Sequence, residues 1–306
     1  MPQDEDFPIV DAHQHFWDLD RNHYPWLCDH EPIPFRYGDY SALRRNYLPP
    51  DYRADTARHR IVGTVHVEAE WDRTIPVAET RWLETVAARH GIPSGIVAYA
   101  ALDSDGAADT IARQAVSPLT RGIRHKPHAA ASPSSARRGH SGSMDDPRWQ
   151  RGYEALERHG LSFDLQTPWW HLDAAADLAR DFPKTQIIIN HTGLPADRSP
   201  EGLAGWRRAM EIAAAQPNVA VKISGLGQPG RPWTLEANGP IIRATVGIFG
   251  ADRCLFASNY PVDSLVASYD TIVKVMGAAL EGHSPEDRAR IFSGNAVRLY
   301  RLKPVV

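Results

Sequence analysis

Two histidines separated by one residue, His13 and His15, follow the apolar lead Ile9-Val10-Asp11-Ala12. Successive side chains of an extended segment point to opposite faces, so a strand running through His15 sends both imidazoles to the same side. Two nitrogen donors then converge on one point. A metal ion can sit there, or an anionic substrate carried by imidazole N–H groups. With 14 histidines in 306 residues, such a spacing also arises by chance, and the pair gains weight only from what else the chain brings to the same place.

Polar residues that close otherwise apolar runs supply the other candidates. In chain order these are His66 and Glu68, then Arg124 and His125 with Lys126 behind them, Asp164 and Gln166, His191, Lys222 and Ser224, and Asn259. Arg124 can grip a carboxylate through two parallel N–H bonds, or it can form a buried ion pair with Asp164 or Glu68. His66 and Glu68 alternate on one run and are expected to line a pocket together. The histidines at 23, 30, 59, 90, 128, 140, 159, 171 and 283 fall in loops or helical patterns, where solvated or capping roles suffice.

The elements that must position these residues come next. Apolar runs of strand length begin at Ile9, Ile61, Gly95, Leu119, Leu161, Gln186, Asn218 and Arg253, and helical patterns follow them. Examples are Pro76 to His90 stopped by Gly91, Asp173 to Asp181, a helix opened by Ser199-Pro200, and one near Pro240 to Phe249. Strict alternation implies a parallel sheet, and about eight units imply a closed (β/α)8 TIM barrel, whose site lies at the carboxyl ends of the strands. No Gly-rich phosphate loop follows the first strand, which argues against an open dinucleotide-binding sheet. No low-complexity linker divides the chain, and residues 1–306 read as a single domain. Between Phe16 and Arg60 lies a long irregular stretch rich in aromatic residues and proline, which distorts the regular barrel and is suited either to covering a site or to packing on the barrel mouth.

Composition sets the outer bounds. Hydrophobic residues make up 42% and charged ones 23%, as in an ordinary globular protein. A formal net charge of -3 leaves no basic footprint for nucleic acid. Cys28 and Cys254 alone make no disulfide framework. The acidic start Met1 to Asp6 is unlike a secretory signal, and no run has the length of a membrane span. A cytoplasmic location is expected, with no membrane partner.

The chain resembles the amidohydrolase superfamily, in the branch that includes 2-pyrone-4,6-dicarboxylate lactonase and sugar-lactone hydrolases. The resemblance is carried by Val10-Asp11-Ala12-His13-Gln14-His15-Phe16-Trp17-Asp18, Tyr24-Pro25-Trp26-Leu27, Gly122-Ile123-Arg124, Asn190-His191-Thr192-Gly193, Ala257-Ser258-Asn259-Tyr260-Pro261-Val262-Asp263 and Gly294-Asn295-Ala296-Val297-Arg298-Leu299-Tyr300. It implies that His13, His15 and His191 face a Zn-like divalent metal or, as in metal-free relatives, a substrate. The family position on strand eight usually holds an aspartate that takes the proton of the attacking water, and here it is Asn259.

An amide is no general base, although its carbonyl oxygen still accepts hydrogen bonds or ligates a metal. Water activation therefore falls to a metal or to another group, such as His125, His66, Glu68 or Asp263, unless the reaction is a decarboxylation or other lyase step, or the protein binds without turnover. The leading expectation is hydrolysis of a lactone or similar cyclic ester of a carboxylate-bearing small molecule. The cationic Arg124, Lys126 and Lys222 suit an anionic substrate. Trp169 and Trp170, with the aromatic loop, can wall a planar or cyclic one or else anchor a helix, the role favoured for Trp170, and Tyr260 is a further candidate for substrate contact. A homo-oligomer remains open.

Overall fold

The computed structural model describes residues 7–303. Eight parallel strands follow one another around a ring in sequence order: β1 (Ile9–Gln14), β2 (Ile61–Val67), β3 (Gly95–Tyr99), β4 (Thr120–Arg124), β5 (Ser162–Leu165), β6 (Ile187–Ile189), β7 (Val219–Ile223) and β8 (Cys254–Phe256). Just past β8 the seam closes through backbone: Asn259 N donates to His13 O and His15 N donates to Tyr260 O, each at 2.7 Å. This is the (β/α)8 barrel that the alternation of apolar runs implies.

Helices wrap the outside at Val77–His90, Ala107–Ala115, Pro147–Arg158, Leu172–Asp181, Pro200–Ala214, Leu235–Phe249 and Tyr269–Ala279. Their ends follow local chemistry. Ser199 accepts from Gly202 N ahead of Pro200, and Gly91 takes the left-handed conformation that stops Val77–His90. One helix starts earlier than its sequence suggests, at Leu235 rather than near Pro240. Thr234 caps it by accepting from Ala237 N, which places Pro240 inside.

Along β2, Val65 and Val67 face the barrel interior, where they pack with Val10, Ile188, Leu255 and, from the C-terminal segment, Tyr300. The opposite strand faces, with Ile96, Phe163 and Ile189, meet the helices. On β1 the pairing register shifts between Asp11 and Gln14. Asp11 points outward to Ser258 and Tyr52, whereas His13 reaches Lys222 on the interior. Strict alternation would have put His13 on the same side as Asp11; an irregularity of this kind re-aims side chains beside a site.

The stretch between β1 and β2 contains the short helices Pro25–Cys28 and Pro49–Asp55. Most of its aromatics are anchors: Phe16, Trp17, Tyr24, Tyr47 and Tyr52 are fully buried. Trp26 and Phe35, stacked at 5.7 Å, instead reach the barrel mouth. Among the described residues no helix is long and apolar enough to cross a membrane.

Candidate active site

A cavity of about 230 Å³ opens at the carboxyl ends of the strands, lined by His15, His191, Asn259, Arg124, Lys126, Gln166 and Glu70, and covered by Trp26 and Ile33–Arg36 of the loop. His13 lies behind it, its ring 5.0 Å from that of His15 and 4.6 Å from that of His191. The three histidines that start on distant strands thus gather at one place.

Their surroundings fix what each nitrogen offers. Nδ1 of His15 lies 2.7 Å from the Val67 carbonyl, which only accepts, so Nδ1 carries the proton and Nε2 presents a lone pair. That lone pair faces Asn259 Oδ1 at 3.3 Å. The amide is oriented by its other end: Asn259 Nδ2 donates to Asp263 Oδ1 at 2.6 Å. Two acceptors therefore confront each other across the pocket floor, an arrangement completed by something that donates to both.

His13 is the reverse case. The Lys222 ammonium, 2.5 Å from Asp164 Oδ1, stands 3.5 Å from His13 Nδ1. A cation there leaves the lone pair on Nδ1 and the proton on Nε2, and that buried Nε2 has no partner. His191 Nδ1 is 3.0 Å from Ser224 Oγ. Burial, followed by the charge of Lys222 for His13, of Arg124 for His15 and of Arg36 for His191, holds all three well below the usual imidazole range. They are neutral at physiological pH.

Two of the lining residues sit on strained backbone. His191 and Asn259 have φ of 51° and 58°, a left-handed region that costs a non-glycine residue about 1 kcal/mol or more and in which Asn and His are better tolerated than most. The turn after β6 and the turn after β8 hold these side chains over the mouth instead of along the strand.

Other expected residues occupy different ground. Arg124 Nε and Nη2 bind Glu68 Oε1 and the Glu68 carbonyl at 2.7 and 2.5 Å, and Nη1 binds Gln166 at 3.1 Å. The ion-pair alternative for Arg124 thus holds, although it also lines the cavity. Burial would raise Glu68, but Arg124, Arg73 and Lys126 together keep it below the ordinary carboxylate range. Lys126 pairs with Glu70 at the rim. Asp164 is enclosed by Lys222, Tyr300 and Asn190 beneath the pocket.

His66, His125, Tyr260 and Trp169 do not line the cavity. Because Val65 and Val67 face inward, His66 faces outward: it accepts from Phe16 N at 3.1 Å and its Nε2 meets Glu79 at 3.2 Å. With Arg124 turned inward, His125 likewise turns out and accepts from Leu102 N and Trp149 Nε1. Tyr260 donates to the Ala267 carbonyl, and Trp169 packs over Gly205 on helix Pro200–Ala214.

Comparison with known proteins agrees with this fold. The amidohydrolase family model (Amidohydro_2) matches residues 10–302. The chain belongs to the amidohydrolase family. It is 40% identical over 297 residues to the uncharacterized protein y4mH of Sinorhizobium fredii, covering 97% of this chain and 99% of that one. It is 32% identical to an L-fucono-1,5-lactonase of Burkholderia ambifaria, covering 96% and 95%. A crystal structure of a Burkholderia multivorans amidohydrolase with bound zinc superposes with a TM-score of 0.80 at 25% identity, over 97% of this chain and all of that one. This amidohydrolase is thus similar in sequence to sugar lactonases.

The donor set of this amidohydrolase does not fit a tightly held divalent ion. His13 directs a protonated nitrogen inward, strand eight offers an amide where a carboxylate would bind a dication more strongly, and the Lys222 ammonium stands against the histidines. Among the described residues no group of three or more His, Cys, Asp or Glu side chains is placed to hold a metal. Sequence reading missed Arg36, Glu70 and the holding role of Asp263. The first lies in a loop without regular pattern, and the last was legible only as a carboxylate four residues past Asn259.

Proposed function

We propose that this protein hydrolyses a lactone or similar cyclic ester of a carboxylate-bearing small molecule, with His13, His15, His191 and Asn259 as its catalytic group and Arg124, Lys126 and Gln166 contacting substrate. The observation that carries the reading is the pair of facing acceptors, His15 Nε2 and Asn259 Oδ1, 3.3 Å apart on the cavity floor. A water seated over the pair on the cavity side, within hydrogen-bond distance of both, donates one hydrogen to each and turns its lone pair toward an acyl carbon in the cavity. His15, already neutral, takes one proton as the C–O bond forms. Asn259 holds the other and so orients the attack.

The unpartnered His13 Nε2–H, with the nearby cations, stabilises the negative charge that develops on the carbonyl oxygen. The tetrahedral intermediate collapses by breaking the ring C–O bond, and His15 returns its proton to the departing ring oxygen. The products are an open-chain hydroxy acid and, at neutral pH, one released proton. The sugar-lactonase relatives support the substrate class, and the strained ester of a small ring needs only a modest base.

A panel of sugar δ- and γ-lactones, assayed by proton release with protein treated with a chelator, tests this. Turnover is expected for the wild type, and its loss with the fold intact for His191→Ala. Full turnover in that variant removes His191 from its place. Carbon dioxide release in place of ring opening replaces hydrolysis by decarboxylation.

A further inference from the structure

Beside the catalytic cavity lies a second one of about 90 Å³, and Arg36 lines both. Arg36 and Arg198 face it together with Tyr37 and Gln228, and no acidic side chain does. Neither guanidinium is fully engaged. Arg36 makes one hydrogen bond among the described residues, from Nη2 to Asp263 Oδ1 at 3.2 Å. Arg198 donates Nη2 to the Leu226 carbonyl at 3.0 Å, while its Nε and Nη1 are shut from solvent without a partner. Desolvated donors left unmatched are rare in native proteins, and here they belong to a permanent cation.

Where the two cavities meet at Arg36, the backbone is built for close approach. Gly225 has φ of +63°, and a Cβ there would come within 2.8 Å of His191 Cβ and 2.9 Å of Arg36 Nη2. Only a residue without a side chain lets Arg36 and His191 both close in on this point of the backbone. Tyr37 supports the guanidinium from below, its ring centroid 4.5 Å from Arg36 Cζ, and also donates to Asp263 at 2.9 Å. The other cations at the mouth are more fully taken, Arg124 by Glu68 and Gln166 and Lys126 by Glu70, whereas Arg36 spends one nitrogen on Asp263 and Arg198 has no acidic partner among the described residues.

We infer that the Arg36–Arg198 cavity is an anion subsite that receives a carboxylate carried by the substrate, next to the lactone ring held over His15 and His191. The inference rests on the lactonase reading and deepens it. The subsite, rather than Arg124, then selects acidic lactones, that is, monolactones of sugar diacids, over neutral lactones of the same ring.

Two lactones matched in ring size, one with a free terminal carboxylate and one with a hydroxymethyl group in its place, provide the test. The wild type is expected to prefer the acid in kcat/KM, and Arg198→Met to erase roughly 10- to 100-fold of that preference, through KM, while the neutral lactone changes little. Gln228→Glu, which sets a carboxylate in the cavity without removing a cation, is expected to act in the same direction and guards against a folding defect in the first variant. Equal activity of the wild type on both lactones, or equal losses on both in the two variants, overturns the subsite. If neither lactone is turned over, the lactonase reading fails by itself. The subsite is then judged by malonate, which is expected to raise the melting temperature of the wild type and not of Arg198→Met; no shift in either overturns it.

Discussion

The two sides of the barrel mouth use their polar groups in opposite ways. Under β2 to β4, each polar group meets a partner: Glu68 holds Arg124 and Arg73, Glu79 accepts from Ala69 N and faces His66, and Gln166 completes Arg124. Across the seam of β8, β1 and β6, His15 and Asn259 face each other as acceptors and His13 Nε2 has no partner. The first side is a clamp and the second a vacancy in hydrogen bonding. Both are buried and polar, so burial alone does not mark a reactive group. What marks it is capacity left unmatched on a rigid frame.

The largest effect expected from breaking this contrast is on the unmatched side. His15→Ala removes the proton acceptor, and kcat/KM on the best lactone should fall roughly 10³- to 10⁴-fold with the far-ultraviolet circular dichroism unchanged. A fall of less than tenfold would show that His15 is not the base.

On the matched side the effect should appear in stability. Glu68→Gln leaves the Arg124 guanidinium, only 4% exposed, without its countercharge, and breaking a buried pair in this way costs about 3–5 kcal/mol. Urea denaturation reads this directly. A loss near zero would mean that the network relaxes around the missing charge.

A smaller change sharpens the metal question. Asn259→Asp places a negative ligand opposite His15, and zinc retained after dialysis, measured by elemental analysis, should rise on the order of tenfold because an anion attracts a dication more strongly than an amide does. Equal zinc in parent and variant would show that the amide is not what limits binding.

The pH dependence separates the two sides more finely. Because burial and Arg124 depress His15, a base that must be unprotonated stays so well below pH 6.5, and the acid limb of kcat/KM should lie below that value. The same depression means that the unfolded chain binds protons there and the folded one does not, so stability falls as the pH drops below about 6.5. Glu79 runs the other way. Burial, then Glu68, pushes it up to about 8, so the folded state keeps a proton that the unfolded state has lost. Stability therefore declines as pH rises from about 4.5 toward 8. Glu79→Gln, which mimics the protonated acid, should flatten that decline and gain roughly 1 kcal/mol at pH 8, read as a melting-temperature difference from pH 5.

Much of the barrel is legible in the chain, because each strand is a short apolar run with a punctuated helix behind it. The direction of individual side chains is not. Strands buried on both faces carry apolar residues at every position, so the pattern gives no parity; His66 and His125 are therefore indistinguishable by sequence from their inward neighbours Val67 and Arg124. Lys222 and Asp164 are evident as polar residues in apolar runs, yet only their mutual contact shows that they set the state of His13 from beneath the pocket.

The linear order of residues determined the eightfold repeat, the gathering of His13, His15 and His191 at strand ends, the amide at 259 and the covering loop, since each follows from local periodicity, residue chemistry or family likeness. The folded chain decided which nitrogen carries each proton, that the register shift in β1 aims His13 inward, and that Arg36 and His191 converge on Gly225. Those depend on partners far apart in sequence, such as Val67 with His15 and Gly225 with Arg36, whose distances exist only once the ring has closed.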